Sequence, residues 1–464
     1  MIMDFHPQIF REYDIRGLVD TEITPALAFA IGQAVVQYLH RRGESPGPIV
    51  VGHDHRLSSP DLAQAVIQGI NKTGWNVRFI GEVPTPVYYF ALATMPSKGG
   101  LMITASHNPP EYNGFKVNHG PDSLFGPQIK ELYEIIQKND YPQGRGTVST
   151  VELRDKYLRD VLSRLKLHQK MKVVIDAGNG TAGLIAPQLL RDLGCDVFPL
   201  FCEPDGNFPN HHPDPTVEAN LQDLITAVAL HEADLGVAYD GDSDRIGVVD
   251  EQGHIIWGDR LLALYAQDLL ARQKNAKIIF EVKCSTVLPE IIKQAGGIPI
   301  MYRAGHSLIK KKMKEEQALL AGEMSGHMFF AENYYGYDDA LYASAKLVEI
   351  LSRKAAPFST VMKDIPLYPS TPELRISCPE DKKTDVVSKT KAIFRQKNKI
   401  IDIDGVRVIF DQGWGLLRAS NTQAILVLRF EAFTKTALKE IIRTFHHELT
   451  QFNELDLTPL QAWL

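Results

Sequence analysis

The sequence predicts an α/β protein made of three related α/β units and a C-terminal α+β unit. Three observations carry this. Apolar strand-like runs alternate with helix-periodic stretches, the alternation restarts at residues 171 and 275, and the composition changes after residue 355. With 464 residues the chain is too long for one compact core, and about 150 residues per domain suggests three or four.

In the first unit, PALAFAIGQAVVQYLHRR has helical spacing and PIVVG is a short buried strand. SSPDLAQAVIQGINKTG opens on a serine cap and closes at Gly74. NVRFIGEV is the next strand, a helix starts near Pro84 and Pro86, and GLMITAS follows. Such alternation predicts parallel strands with crossover helices, and puts Ser106 where the carboxyl end of a strand meets a loop. The stretches MKVVIDAGNGTAGLIAPQLLRDLGCDVFPLF and NAKIIFEVKCSTVLPEIIKQAGGIPIMY repeat the grammar without a residue-level repeat. AAPFSTVMKDIPLYPSTP, with Pro357, Pro366, Pro369 and Pro372, reads as a linker. Beyond it IDIDGVRVIF and AILVLRF alternate like antiparallel strands, and FTKTALKEIIRTFHHEL is an amphipathic helix. The expected divisions are 1–150, 151–254, 255–366 and 367–464.

Four loops carry chemistry. ITASHNPPEYNGFK holds Ser106 but lacks the Gly-x-Ser-x-Gly frame of a hydrolase elbow. In an extended chain Ser106 and His107 point to opposite sides, so His107 is badly placed as its base. Asn108, Pro109 and Pro110 stiffen the turn, and Lys116 can return a positive charge toward the serine. DGDSDR places Asp240, Asp242 and Asp244 within five residues, an arrangement that calls for a divalent cation. Asp240 and Glu251 fit the ends of a calcium loop, but Arg245 stands where that loop needs glycine and the flanks read as strands, so Mg2+ is preferred. GEMSGH alternates Glu323, Ser325 and His327, so an extended segment would present all three on one side, an edge suited to sugar hydroxyls. RASNTQ offers Arg418, Ser420, Asn421 and Thr422, a guanidinium fork and short donors suited to a phosphate dianion. GNGTAG fits a dinucleotide fingerprint, but Asp176 directly before it would repel a pyrophosphate; it reads as a tight strand-to-helix turn.

The composition excludes other classes. Lys plus Arg number 50 against 56 Asp plus Glu, a formal charge of -6, which argues against a nucleic-acid binder. The four cysteines, Cys195, Cys202, Cys284 and Cys378, form no C-x-x-C pair, as suits a reducing compartment. MIMDFHPQIF shows no basic region followed by an apolar run, and the apolar helices are interrupted by polar residues; the expected location is cytoplasmic, without a membrane partner.

Taken in order, TASHNP, DGDSDR, GEMSGH and RASNT resemble the four signature loops of the alpha-D-phosphohexomutase superfamily, and the likeness extends through FREYDIRG, FPNHHPDP and GHSLIK, essentially the whole chain. GEMSGH is similar to the phosphomannomutase/phosphoglucomutase branch, the phosphoglucosamine branch typically having Gln at the position of Met324. The resemblance implies four domains around a central active-site cleft, three of related mixed-sheet α/β type and a mobile fourth. It implies reversible phosphoryl transfer between C6 and C1 of mannose or glucose phosphates, through a phosphoserine and a hexose 1,6-bisphosphate. Alternatives are a phosphoglucosamine mutase or a non-catalytic sugar-phosphate binder.

By position, Ser106 would carry the phosphoryl group and, with Asp240, Asp242 and Asp244, ligate Mg2+. Glu323 and Ser325 would hold sugar hydroxyls, and Arg418, Ser420, Asn421 and Thr422 the phosphate. Tyr13, Arg16, Lys116, Arg245, Lys283, His306 and His327 match other cleft positions, with Arg16 among the catalytic set and Lys116 and His327 as candidates for acid/base work. One departure is visible: Gln423 and Ala424 replace the usual Thr-x-Pro continuation. A monomer is expected.

Overall fold

A computed structural model of the chain describes residues 5–354, 356–420 and 424–464. Four sheets follow one another along the sequence. The first holds β1 (Ile15–Leu18), β2 (Pro48–His53), β3 (Asn76–Glu82), β4 (Gly99–Ile103), β5 (Tyr112–His119), β6 (Asp122–Ser123) and β7 (Val148–Thr150), in the order β1-β5-β4-β2-β3-β7 with β6 on β5. The second holds β8 (Lys172–Asp176), β9 (Asp196–Leu200), β10 (Leu235–Tyr239), β11 (Ile246–Asp250) and β12 (Ile255–Ile256), ordered β12-β11-β10-β8-β9. The third holds β13 (Lys277–Glu281), β14 (Ile298–Tyr302), β15 (Leu320–Gly322) and β16 (Met328–Phe330), ordered β14-β13-β15-β16.

In each of these sheets the strands joined by helical crossovers are parallel, and the strands that follow a signature loop return antiparallel. β2 is parallel to β3 and β4, whereas β5 turns back on β4. β8 and β10 are parallel, and β11 turns back on β10; β13 and β15 are parallel, and β16 turns back on β15. The sheets are therefore mixed, because a short loop can only reverse the chain.

The fourth sheet is wholly antiparallel: β17 (Leu374–Ser377), β18 (Lys399–Ile401), β19 (Val406–Phe410), β20 (Gly413–Ala419) and β21 (Ile425–Ala432), ordered β17-β21-β20-β19-β18. The amphipathic helix Lys435–Leu449 covers it with Ile441, Ile442 and Phe445 buried, as its spacing predicts.

One apolar core runs through the first three units. The helix Thr85–Thr94 buries Tyr89 and Phe90 against Tyr157 and Tyr337, far from it in sequence. The fourth unit has its own core around Phe394, Phe430 and Phe445. It meets the third through a small apolar cluster of Val282, Trp414 and Leu416 and through polar groups: Arg407, fully buried over the Trp414 ring, donates to Val282 O at 2.5 Å and Cys284 O at 2.8 Å. Arg429 donates to Lys283 O, and Glu431 accepts from Thr286 N at 3.0 Å.

The proline-containing stretch differs from the linker expected. Phe358, Met362 and Ile365 are buried in the shared core, and Arg260 holds the carbonyls of Met362 and Ile365. Apolar residues within the stretch are the reason: proline spacing marks irregular backbone but says nothing of what that backbone covers. Among the described residues no helix is long and apolar enough to cross a membrane.

Candidate active site

Ser106 lies three residues beyond β4 in a left-handed conformation, φ 52°. A non-glycine residue keeps that geometry only when its surroundings impose it. Here the loop is held from both sides. Ser106 N donates to Thr104 Oγ1 at 2.9 Å. One guanidinium gathers the carbonyls beyond: Arg56, 1% exposed, donates to Ser106 O (2.8 Å), Asn108 O (2.6 Å), Pro109 O (2.7 Å) and Tyr112 O (3.0 Å). Arg16 donates to Asn108 Oδ1 at 2.8 Å and pairs with Asp14.

This backbone also overturns one expectation. The chain at Ser106 is not extended, so Ser106 Oγ and His107 Nδ1 come within 3.1 Å instead of pointing apart. The hydroxyl proton is nevertheless directed elsewhere, to Asp240 Oδ2 at 2.7 Å.

Asp240, Asp242 and Asp244 form the hairpin between β10 and β11, and all are buried. The hairpin presses on the serine loop so closely that a Cβ on Gly241 would stand 2.5 Å from Ser106 O, which only glycine avoids. Thr85 pins it from the first unit, Oγ1 donating to Asp242 Oδ2 at 2.7 Å and N to Asp242 O at 2.9 Å. Lys116, on β5, reaches Asp242 Oδ2 at 2.8 Å and pairs with Asp244.

The surroundings push the carboxylates of the cluster in opposite directions. Burial and the neighbouring Asp244 and Asp242 drive the Asp240 carboxyl well above the usual carboxylate range. For Asp244 burial acts the same way, but Lys116 and His327 outweigh it and pull the group well below that range. Asp242 Oδ1 is buried without a hydrogen-bond partner among the described residues, and one oxygen of each of the three carboxylates lies within 4.8 Å of the others. An orphaned buried oxygen among three carboxylates converging at this spacing fits a hard divalent cation.

GEMSGH is a tight turn closing the β15–β16 hairpin, with Gly326 N donating to Glu323 O at 3.0 Å, and not the extended edge expected. The turn still converges the same side chains. His327 Nδ1 lies 2.8 Å from Glu323 Oε2 and 3.1 Å from Ser325 Oγ, while His327 Nε2 lies 3.2 Å from Asp244 Oδ1. Burial alone would lower the His327 pKa; Asp244 and Glu323 outweigh it and raise it to about 9. His327 stacks on His306, which meets the Tyr13 ring edge-on, and Arg245 pairs its backbone with that of His327.

Arg418 lies near the end of β20 and Ser420 directly follows that strand, as predicted for a loop between two strands. Arg418 stands in a second group with Lys283 and Glu373, joined to the first through Tyr13, whose ring meets His306 and whose hydroxyl donates to Ala304 O at 2.7 Å. Asn421 and Thr422, with Gln423, lie outside the described residues.

GNGTAG is the turn expected: Asp176 Oδ1 accepts from Gly178 N at 2.8 Å, and Thr181 N donates to Gly241 O at 3.0 Å, so the turn supports the acidic hairpin. Arg56, Thr85 and Asp338 also belong to the site and lie outside the four loops. Asp338, fully buried, accepts from Lys310 Nζ at 2.9 Å behind the His306–His327 pair. Asp339 beside it caps the following helix by accepting from Tyr342 N at 2.8 Å, and such a cap contributes about 1 kcal/mol. An aspartate next to a helix start was the one legible signal.

The Arg56 grip makes a testable claim. Arg56→Ala is expected to lower kcat about 100-fold, since small misplacements of reacting groups carry such losses. The melting temperature should fall too, because buried carbonyls lose their donors. Arg56→Lys should recover part of both; steady-state kinetics with thermal melts checks this, and unchanged kcat in the alanine variant would refute the grip.

Three α/β units and an α+β fourth, meeting over a buried serine and an acidic hairpin, place the chain in the class of multidomain α/β mutases. Models of the four phosphoglucomutase/phosphomannomutase domains match it in order, the α/β/α domains I, II and III over residues 7–143, 155–253 and 257–368 and the C-terminal domain over 373–446. The chain belongs to the phosphoglucomutase/phosphomannomutase family. It is 48% identical over 442 residues to a phosphomannomutase/phosphoglucomutase of Pseudomonas aeruginosa, covering 95% of each chain. It is 47% identical over 442 residues to a phosphoglucomutase of Neisseria gonorrhoeae, covering 94% of this chain and 95% of that one. A crystal structure of a phosphoglucomutase/phosphomannomutase family protein from Burkholderia thailandensis superposes with a TM-score of 0.91 at 40% identity, covering 97% of this chain and 98% of that one.

Proposed function

We propose that this enzyme reversibly moves a phosphoryl group between C6 and C1 of mannose and glucose phosphates, using Ser106 as the carrier. The observation that carries the reading is the buried Ser106 hydroxyl 2.7 Å from Asp240 Oδ2, in a loop clamped against an acidic hairpin and Lys116. In its working state Ser106 is a phosphoserine. It gives its phosphoryl group to the free hydroxyl of a hexose monophosphate: the serine Oγ–P bond breaks as the sugar O–P bond forms, and the hydroxyl proton goes to a base. The resulting hexose 1,6-bisphosphate turns end for end, its other phosphoryl group returns to Ser106, and the isomeric monophosphate leaves.

Asp240, Asp242 and Asp244, with a Ser106 phosphate oxygen, would hold Mg2+, which when bound supplies charge neutralisation to the phosphoryl oxygens. Lys116 or His327 moves the proton of the sugar hydroxyl in this reading, which is supported by Lys116 lying on β5 against Asp242 and by His327 lying between Glu323 and Asp244. Arg16 orients the serine loop through Asn108, and Arg245 offsets charge beside Asp240 at 3.9 Å. Glu323, Ser325 and His306 face the sugar hydroxyls. Tyr13, Lys283, Arg418, Ser420, Asn421 and Thr422 receive the phosphate that is not reacting. The divisions near 150, 254 and 366, a cytoplasmic location and a monomeric state belong to the same reading.

Intact mass with peptide mapping of residues 98–116 tests it. A phosphate on Ser106 that disappears on adding hexose monophosphate alone is the expected result. A Ser106 peptide that carries no phosphate during turnover would refute the carrier role. A phosphoglucosamine mutase is the weaker alternative, since Met324 stands where that branch has Gln and the relatives above are named for mannose and glucose phosphates. The non-catalytic alternative is weaker still, because Ser106, the three aspartates and Lys116 are all retained in one buried cluster.

A further inference from the structure

Both cations assigned above to the substrate phosphate already have a carboxylate partner from the C-terminal part of the chain. Lys283 Nζ lies 2.5 Å from Glu373 Oε1. Arg418 points Nε and Nη2 at a single oxygen of Asp404, each at 3.1 Å. Glu373 directly precedes β17, and Asp404 sits in the turn between β18 and β19, so two separate segments deliver the carboxylates.

The two acids differ from the third carboxylate of the pocket. Glu281, fully buried, is committed to Lys283 N at 2.7 Å and Met324 N at 3.3 Å, and stands 3.7 Å from the Lys283 ammonium. It is part of the frame. The Glu373 side chain is 28% exposed, and its carboxylate's one hydrogen bond among the described residues is to Lys283. Asp404 also takes Ala304 N at 3.2 Å, which ties Arg418 to the loop carrying His306. Glu373 is thus the acid that can leave at least cost.

The reaction gives such an acid a purpose. The same grip must hold one phosphate of the bisphosphate, release it while the sugar turns, and take the other. A lysine and an arginine in a partly desolvated cleft, with nothing to replace the departing dianion, would leave two uncompensated charges at the moment of release. A tethered carboxylate can fill that position without leaving the protein.

We propose that Glu373, seconded by Asp404, is a positioning residue that competes with the substrate phosphate for Lys283 and Arg418 and so lets the grip open while the bisphosphate reorients. This rests on the reading that Lys283 and Arg418 bind the phosphate that is not reacting. A dianion outcompetes a single carboxylate when present, but by a reduced margin.

The test is Glu373→Gln, which keeps the shape and a hydrogen-bond acceptor for Lys283 and removes the charge. KM for glucose 1-phosphate and the inhibition constant for inorganic phosphate should both fall about 5-fold, the scale of one partly exposed ion pair. kcat should fall with them, because release becomes slower, and Glu373→Asp should restore all three. A merely structural role would lower kcat/KM and leave phosphate inhibition unmoved. Unchanged or raised constants in Glu373→Gln overturn the proposal; if that variant melts early, Asp404→Asn puts the same question to Arg418. Lys283→Met separates the two levels. If it raises both constants while Glu373→Gln does nothing, only the competition fails; if it also changes nothing, the phosphate assignment itself falls.

Discussion

Ser106→Ala is expected to abolish mutase turnover, with kcat falling on the order of 10^4-fold or more, because a covalent carrier has no partial substitute. The neighbouring hydroxyl cannot take over: Thr104 Oγ1 is occupied by Ser106 N at 2.9 Å and lies two residues back on the loop. Nor should the loss reflect a collapsed loop. Arg56 holds the main-chain carbonyls of residues 106, 108, 109 and 112, none of which the substitution touches. Folding should change by only about 1–3 kcal/mol, the effect of leaving Asp240 without its hydroxyl donor. Steady-state conversion of glucose 1-phosphate, measured beside a thermal melt, separates the two effects. A variant that melts normally and still turns over at the parental rate would end the phosphoserine reading.

Asp242→Asn should produce the second largest effect, and a different signature. Asp242 Oδ2 accepts from Thr85 and pairs with Lys116, while Asp242 Oδ1 is left without a partner inside the cluster. The amide keeps the contact to Thr85 but removes a negative charge from the place where the cation is expected. Loss of one preorganised electrostatic group at a reacting centre costs about 10^2- to 10^3-fold in kcat. KM for the hexose phosphate should move by less than about 3-fold, since the residues proposed to hold sugar and phosphate lie on other loops and uniform binding is untouched. The Mg2+ concentration for half-activation should rise about 10-fold or more, the range seen when a metal site loses part of its support. Titrating Mg2+ at saturating substrate checks this. Equal activity of the parental enzyme with and without chelator would remove the metal from the mechanism.

The two variants probe residues that were legible before any coordinates, and for Asp242 the reason is local. Three aspartates in a hairpin are marked out by their own spacing, whereas a serine after a strand and an arginine at a strand end become candidates only through the resemblance of the four loops taken together. The same locality explains the errors. Extended chain would point His107 away from Ser106, but the packing of Gly241 and Arg56 on the loop holds Ser106 at φ 52°. Glu323, Ser325 and His327 were grouped by period two, and they do meet, through a turn whose hydrogen bonds the alternation did not anticipate. The prolines from 357 to 372 suggested a free linker, yet Phe358, Met362 and Ile365 are core residues.

By itself, then, the sequence determined the α/β succession, the antiparallel fourth unit, and the positions of the serine loop, the acidic hairpin, the GEMSGH turn and Arg418. Each of these follows from residue types within about a dozen positions, the range over which periodicity and turn preferences act. Only the tertiary structure decided what surrounds them. Arg56 reaches carbonyls 50 to 56 residues away, Thr85 meets Asp242 across 157 positions, and Glu373 meets Lys283 across 90. Such partners carry no shared spacing or composition, because a buried charge is satisfied by whichever group the packed chains bring to it.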